Sequence, residues 1–209
     1  LPHWGYVKPF GLHFIEETIS GAPPSLESQE YADAVDEVMR LGGLSSFERT
    51  AEQSEIAMFW VDGGGTATPP GHWNRIAARV SITENQSSLD RARMFALLNM
   101  ALADAAIVSR RMKYEFDFWR PIDAIRNASE DGNSATVSDP AWIPFIATPP
   151  FPSFTSGHST FSGAAAVILT HVFGEDYGFA SRSDGHTGIT QRPLGTILTR
   201  EFSSFFGAA

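Results

Sequence analysis

The segment 88–116 constrains the fold more than any other part of the sequence. Its apolar side chains recur at steps of three and four residues, at Met94, Leu97, Leu98, Ala101, Leu102, Ala105 and Val108. That period is typical of an α-helix with one buried face. Ser87 and Asp90 suit the cap and first turn of such a helix. An apolar face of this length needs other helices to cover it, so the segment predicts a helical bundle.

Capping residues and glycine or proline stops predict the other helices and their limits. The predicted helices are 26–41 with Ser25 as cap, one opened by a Ser45/Glu48 capping box and ending near Trp60, 73–82, 159–173, and one from Pro193 that continues to Ala209. Residues 127–157 contain five prolines and predict a long connection. No strand-like alternation is present. We therefore expect an all-α helical bundle in one domain, 1–209.

The composition excludes several classes of function. A formal charge of −9, from 24 acidic and 15 basic residues, argues against a non-specific nucleic-acid binder. The chain contains 0 cysteines, which excludes disulfides, zinc–thiolate sites and a thiol nucleophile. The longest apolar run, 161–173, is interrupted by Ser162, Thr170 and His171, so no membrane span is expected. A small cationic pocket for an anion stays compatible with this composition.

The first candidate site lies in the stretch KYEFDFWRP. Lys113 and Arg120 are nearly two helical turns apart, so both cations are expected on one side of the helix. Pro121 disfavours helix at Arg120 and places the guanidinium at the helix end. A lysine point charge beside an arginine fork suits a tetrahedral oxyanion. The alternative is a surface ion-pair ladder through Asp117.

The second candidate site lies in FPSFTSGH, directly before an apolar helix. Ser156, Gly157 and His158 would occupy a helix start, where free N–H groups and the helix dipole attract anions. The imidazole of His158 can exchange a proton near neutral pH. The alternative is an ordinary capped helix with a buried, hydrogen-bonded histidine. For the other histidines, including His72, we expect a structural role.

The two stretches occur in one chain in this order, with a proline-rich connection between them. KYEFDFWRP matches the Lys-x6-Arg-Pro motif, and FTSGHSTFSGAAA resembles the Pro-Ser-Gly-His motif, of the superfamily that joins vanadium-dependent haloperoxidases with type 2 phosphatidic-acid phosphatases. The stretches FWRPIDAIRNASEDGN, TPPFPSFTSGHSTFSGAAA and TATPPGHWNRIA look like its bacterial haloperoxidase-like branch. The similarity runs from about residue 58 to the C-terminus and implies the all-α helical bundle of that superfamily.

The resemblance also implies a cofactor site, for vanadate, which phosphate can occupy as well. It assigns the equatorial oxygens of the anion to Lys113, Arg120, Ser156 and the Gly157 amide. His158 would be the acid–base histidine beside the apical oxygen. Phe151 falls where chloroperoxidases place an aromatic ring near the halide. No metal ligand is expected within this chain itself.

Three departures from the superfamily pattern bear on function. Thr155 replaces the usual proline, which we expect to be harmless. Arg110 stands three residues before Lys113, where chloroperoxidases carry tryptophan, which counts against chloride oxidation. The last motif, Ser-Arg-x5-His, with the vanadium-ligating histidine, is absent and is expected just beyond Ala209. We therefore expect a truncated piece of a longer haloperoxidase-like domain.

Three functions compete on this basis. The first is a haloperoxidase that uses hydrogen peroxide to oxidise a halide at bound vanadate. The second is an acid phosphatase that hydrolyses a phosphomonoester on the same scaffold. The third is a helical domain that binds an anion without catalysis. The haloperoxidase is the leading prediction, because the flanking stretches resemble that branch. All three involve small molecules rather than nucleic acid.

Overall fold

The protein is described by a computed structural model that covers residues 2–13, 15, 18, 21–184 and 197–209. Two 3-10 helices span Pro2–Tyr6 and Ala128–Glu130. The α-helices of the described residues are α1 Gln29–Gly42, α2 Ala51–Phe59, α3 Thr68–Thr83, α4 Ser88–Phe116, α5 Pro121–Arg126, α6 Gly157–Phe173 and α7 Phe205–Ala208. A two-stranded sheet is formed by β1 Phe179–Arg182 and β2 Thr199–Phe202.

Helix α4 is the centre of the structure, and its prediction is confirmed. The Ser87 side chain accepts a hydrogen bond from the Asp90 amide at the first turn. The helix ends at Asp117, which adopts a left-handed conformation with φ 43°. Its predicted apolar face is buried at Met94, Leu98 and Leu102, among others.

Two apolar cores surround α4 and α5. The larger joins α3, α4, α6 and α7, and its centre is Trp73, whose indole N–H donates to Ser162 Oγ at 3.0 Å. The smaller joins α1, α5 and Trp142, whose indole N–H donates to the carbonyl of Met39 at 3.0 Å. The all-α prediction is thus confirmed, and the two-stranded sheet is a minor addition to it.

The predicted starts of α1 and α2 were wrong by a few residues. Ser28 caps α1, while Ser25 begins the turn before it by accepting from the Ser28 amide and hydroxyl. Thr50 and Gln53 form the capping box of α2. The Ser45/Glu48 box does not form, because Glu48 instead pairs with Arg40 at 2.5 Å. Other contacts between residues close in sequence thus decide both helix starts.

Helix α3 begins earlier than predicted, at Thr68, and the six-residue α5 was missed. Both helices start with proline in the first turn, where its missing N–H is not needed and its fixed φ suits a helix. Helix α6 starts at Gly157 and stops at Gly174, close to its predicted limits. Between α5 and α6 the described chain is mostly irregular, as predicted.

The prediction of a last helix from Pro193 to Ala209 was wrong. Residues 185–196 lie outside the described residues, and the chain beyond them forms β2 and then only the short α7. Strand β2 pairs antiparallel with β1, with Phe179 opposite Phe202. The Phe179 ring lies 5.3 Å from that of Phe202 and 5.0 Å from that of Phe205. This aromatic cluster joins segments that are distant in sequence, so no local periodic pattern predicts it.

By length and composition, one helical segment, Ser88–Arg126, could cross a membrane. Core helices of many proteins meet the same criterion, so the feature is weak evidence for a span. In this structure the segment includes buried Asp104 and Lys113, and α4 packs along α6.

The N-terminal segment is held against α4 by one buried carboxylate. Asp104 accepts from the backbone amides of Phe10 at 2.7 Å, Gly11 at 2.7 Å and Leu12 at 3.1 Å. Nearby, Gly5 lies so close to α4 that a Cβ would stand 2.7 Å from the backbone of Arg111. A charged acceptor with several donors is a strong anchor for a segment with little regular structure.

We expect Asp104→Asn to release this segment. The amide group would direct N–H donors at backbone N–H groups and would weaken the anchor by about 1.5–3 kcal/mol. Hydrogen exchange at Phe10, Gly11 and Leu12 should accelerate, while exchange in α6 should stay unchanged. The control is Asp33→Asn, at an exposed carboxylate of α1. Unchanged exchange at the three amides would contradict the anchor.

Candidate oxyanion-binding site

Helix α4 places Lys113 in the interior, where it holds the connection that precedes α6. The side chain is 3% exposed, and its ammonium donates to the carbonyls of Pro152 at 2.9 Å and Ser153 at 3.0 Å. The alternative prediction of a surface ion-pair ladder through Asp117 was wrong. Asp117 is exposed, and no ion pair of Lys113 is found among the described residues.

Three cations surround the ring of Phe151. The guanidinium carbon of Arg110 lies 4.7 Å from the ring centroid, Lys113 Nζ lies 5.2 Å from it, and the guanidinium carbon of Arg120 lies 5.8 Å from it. As predicted, Pro121 keeps Arg120 out of helical conformation, but Arg120 is the cap residue before α5. The predicted position at the end of the long helix was wrong, because α4 already ends at Phe116. The ring thus links the two stretches that the sequence singled out.

The electrostatics of this cluster are unusual because a buried lysine, Lys113, lies beside two partly buried arginines, Arg110 and Arg120. Burial, together with the neighbouring charges of Arg120 and Arg110, lowers the pKa of Lys113 to about 8. Burial also lowers the pKa of Arg120. Within the described ranges, none of the three cations has a carboxylate oxygen within the 4.0 Å of an ion pair.

Donors in this cluster fit a bound oxyanion. Arg110 Nη1 and Arg120 Nε are buried and have no hydrogen-bond partner in the described part of the chain. Lys113 uses two of its three N–H donors on carbonyls and keeps one. Buried donors without acceptors are costly, and a tetrahedral anion would supply both acceptors and charge. The residues present therefore fit vanadate or phosphate.

The start of α6 adds a second set of donors. Ser156 caps the helix by accepting from the amide of Ser159 at 3.2 Å. Gly157 is the first helical residue, so its N–H has no partner within the helix. A Cβ at Gly157 would meet only Ser109 Oγ, at the ordinary distance of 3.8 Å. Packing does not require glycine there, so its small size leaves room for a ligand.

Helix α6 starts next to the face of α4 that carries Lys113. Ser109, the neighbour of Gly157, is 3% exposed and lies one helical turn before Lys113. His158 is exposed, so the alternative of a buried histidine was wrong. Its Nε2 lies 3.2 Å from the carbonyl oxygen of Val61.

The sequence analysis noted Arg110 only because it replaces the tryptophan of chloroperoxidases, and did not predict that it joins the cation cluster. The signal was available, because residues three apart on a helix share a face and Lys113 is three residues later. The contact between Val61 and His158 had no local signal, since nearly half the chain separates them.

Comparisons with known proteins identify the family of the chain. A family model described as the VCPO second helical-bundle domain matches residues 93–209. The vanadium chloroperoxidase of Curvularia inaequalis is 34% identical over 192 residues, covering 77% of this chain and 30% of that protein. The chain therefore belongs to the vanadium haloperoxidase superfamily, which confirms the resemblance seen in its motifs.

Solved structures show the same fold. The first bacterial vanadium-dependent iodoperoxidase superposes with a TM-score of 0.75 at 29% identity, over 99% of this chain and 48% of that one. A holo bacterial vanadium-dependent chloroperoxidase superposes with a TM-score of 0.71 at 17% identity, over 99% of this chain and 46% of that one. The chain thus spans less than half the length of each of these relatives.

We expect anion affinity to fall as the pH rises through about 8, the pKa of Lys113. Lys113 is charged below that pH and neutral above it, so the loss should reach about tenfold. NMR of the lysine side chains in the anion-free protein can follow the titration, with the other lysine, exposed Lys8, as internal reference. A Lys113 midpoint near the ordinary lysine pKa of 10.5 would contradict its burial among cations.

We expect Gly157→Ala to separate stability from binding. Alanine fits the space beside Ser109 and should leave the free energy of unfolding unchanged or raise it by up to about 1 kcal/mol. The methyl group would fill part of the anion site, so phosphate affinity should fall. Calorimetric titration and thermal unfolding of the same variant measure both. Full phosphate affinity in Gly157→Ala would show that the anion does not approach this turn.

Proposed function

We propose that this chain contributes the vanadate site of a vanadium-dependent haloperoxidase, which uses hydrogen peroxide to oxidise a halide. The observation that carries the proposal is the cluster around Phe151 of buried Lys113 and partly buried Arg110 and Arg120, with buried arginine N–H donors that lack acceptors in the described chain. The relatives that match in sequence and fold are themselves vanadium-dependent peroxidases by name.

Donors from α4, α5 and the start of α6 would bind different parts of the anion. Lys113 and Arg120 would neutralise the equatorial oxygens of vanadate, with Arg110 as a further positive charge. Ser156 and the Gly157 amide would bond the same oxygens from the start of α6. Bound vanadate would supply a Lewis-acid centre that activates hydrogen peroxide without changing its own redox state. A buried, preorganised cation set keeps the anion in one orientation for that chemistry.

His158 would move the protons. Its ring is exposed at the first turn of α6, one residue after the Gly157 amide, so it can reach both the anion and solvent. An imidazole titrates near neutral pH and can take a proton from incoming peroxide and return it to a leaving oxygen. The histidine of the superfamily's Ser-Arg-x5-His motif would bond the vanadium.

Phe151 and Arg110 would form the halide side of the site. The cations around the ring create a positive potential that attracts a halide ion. Arg110 covers the ring where chloroperoxidases carry tryptophan, so we propose bromide or iodide as the substrate. An acid phosphatase would use the same cations for phosphate, with the missing histidine as nucleophile, and it is the alternative function.

We expect Arg120→Ala to weaken vanadate binding about 10- to 100-fold, because a charge-assisted bidentate contact is lost. Calorimetric titration of the chain with vanadate measures this. The control is Arg111→Ala, an arginine of α4 that pairs with Glu115 instead. Equal affinity in Arg120→Ala and the wild type would contradict the site.

Activity separates the two functions. The complete protein loaded with vanadate should brominate a test phenol when bromide and peroxide are both present. Phosphate release from an aryl phosphate, inhibited by vanadate, with no bromination would identify a phosphatase. His158→Ala should lower either activity, because both need a proton donor at the same position.

A further inference from the structure

Three buried side chains outside the anion site form a hydrogen-bonded line. His72 Nδ1 lies 3.0 Å from Asp62 Oδ2 and 3.2 Å from Asp62 Oδ1. His72 Nε2 lies 3.1 Å from Ser181 Oγ. The three residues are at most 6% exposed and come from the loop after α2, from α3 and from β1. The line therefore ties three separate segments together.

Two aromatic rings pack against His72. The imidazole centroid lies 5.1 Å from the ring of Phe59 and 4.9 Å from that of Trp60, and these two rings lie 4.9 Å from each other. The hydrogen bonds at both nitrogens and this packing restrict the orientation of the imidazole. His72 thus gives the Asp62 carboxylate a fixed hydrogen-bond partner.

The backbone conformation of Asp62 sets the direction of the Val61 carbonyl. Its φ is 38°, in the left-handed region that few residues other than glycine adopt. Rotation about that bond sets the direction of the Val61–Asp62 peptide plane relative to the Asp62 side chain. Residues 63–65, which follow, are all glycine and give the backbone no rigidity of their own. The hydrogen bond to His72 restrains the Asp62 side chain, and through it this peptide plane.

The Val61 carbonyl, whose direction is set in this way, contacts His158. The Val61 oxygen lies 3.2 Å from His158 Nε2. A carbonyl oxygen can only accept a hydrogen bond, so Nε2 must carry the proton. In the neutral ring, Nδ1 is then the free acceptor. The contact therefore selects both the orientation and the tautomer of His158.

We propose that His72 is a positioning residue for His158. Acting through the Asp62 carboxylate and the Val61 carbonyl, it holds His158 as the Nε2–H tautomer with Nδ1 ready to accept a proton. The network has the order of groups found in Ser-His-Asp hydrolases. Ser181 is 6% exposed, which leaves a substrate little approach to its hydroxyl. The line of contacts leads instead to His158.

The catalytic consequence rests on the proposed function. If His158 moves protons at the anion, a mixture of tautomers leaves only part of the molecules competent to accept one. Loss of His72 should then lower kcat more than it raises the KM for peroxide, because binding is left to the cations. The tautomer itself is a property of the chain and can be measured without vanadate.

The test is 15N NMR of the imidazole nitrogens, with His158 assigned by comparison with His158→Gln. In the wild type at a pH where the rings are neutral, we expect a protonated Nε2 in His158 and a protonated Nδ1 in His72. The opposite tautomer for His158 in the wild type would overturn the proposal, and this measurement requires no folding of a network variant.

Two substitutions at Asp62 separate the carboxylate from the backbone. Asp62→Gly keeps the left-handed conformation without strain but removes the link to His72, so the His158 nitrogens should shift towards a mixture of tautomers. Asp62→Asn retains an acceptor for His72 Nδ1 and should retain the wild-type pattern. The matched control is Asp131→Gly, at a buried carboxylate that accepts from Asn133 and Thr136.

His72→Phe should act as Asp62→Gly does, since it keeps the ring shape and removes both hydrogen bonds. A wild-type tautomer in Asp62→Gly and His72→Phe would overturn the positioning role, whatever the activity. A shifted tautomer supports it. If the tautomer shifts while the complete protein lacks halide oxidation in every form, the network stands and the proposed function fails.

Discussion

The structure depends on the burial of the Lys113 ammonium at the end of α4. A charge that is 3% exposed is tolerated only if its donors find acceptors, and the carbonyls of Pro152 and Ser153 provide two. These bonds draw the irregular connection onto α4 and fix the point from which α6 begins. Phe151, one residue earlier, is placed between the cations by the same contact. The proposed anion site thus depends on how one cation is buried.

The cluster is a source of instability as well as function. Three like charges near one ring repel each other, and burial removes the water that would screen them. Their lack of carboxylate partners in the described chain keeps the positive potential intact for a ligand. Such a site is expected to be stabilised when an anion binds, since the anion binds the folded form only. The tight packing around Trp73 and α6 therefore has to offset the repulsion between these cations.

Much of the fold and part of the site could be predicted from the sequence. Helices α4 and α6 could be predicted because each contains its own capping residues and a helical pattern of apolar or small residues. Lys113 and Arg120 were singled out from helical spacing, but α4 ends at Phe116, so the two cations meet at the ring of Phe151 and not along one helix. The β1–β2 pair was missed because Phe179 and Phe202 stabilise each other only after the chain has folded. The Asp62–His72–Ser181 line was missed for the same reason, as its serine lies 109 residues from its histidine.

The central claim is that the cations of α4 and α5 and the first turn of α6 share one bound tetraoxo anion. A crystal structure of the protein with vanadate tests it most directly. The account predicts anion oxygens about 3 Å from Lys113 Nζ, the Arg120 guanidinium and the Gly157 amide, with His158 beside one oxygen. Vanadate bound away from Phe151, with Lys113 and Arg120 unchanged in their contacts, would contradict it.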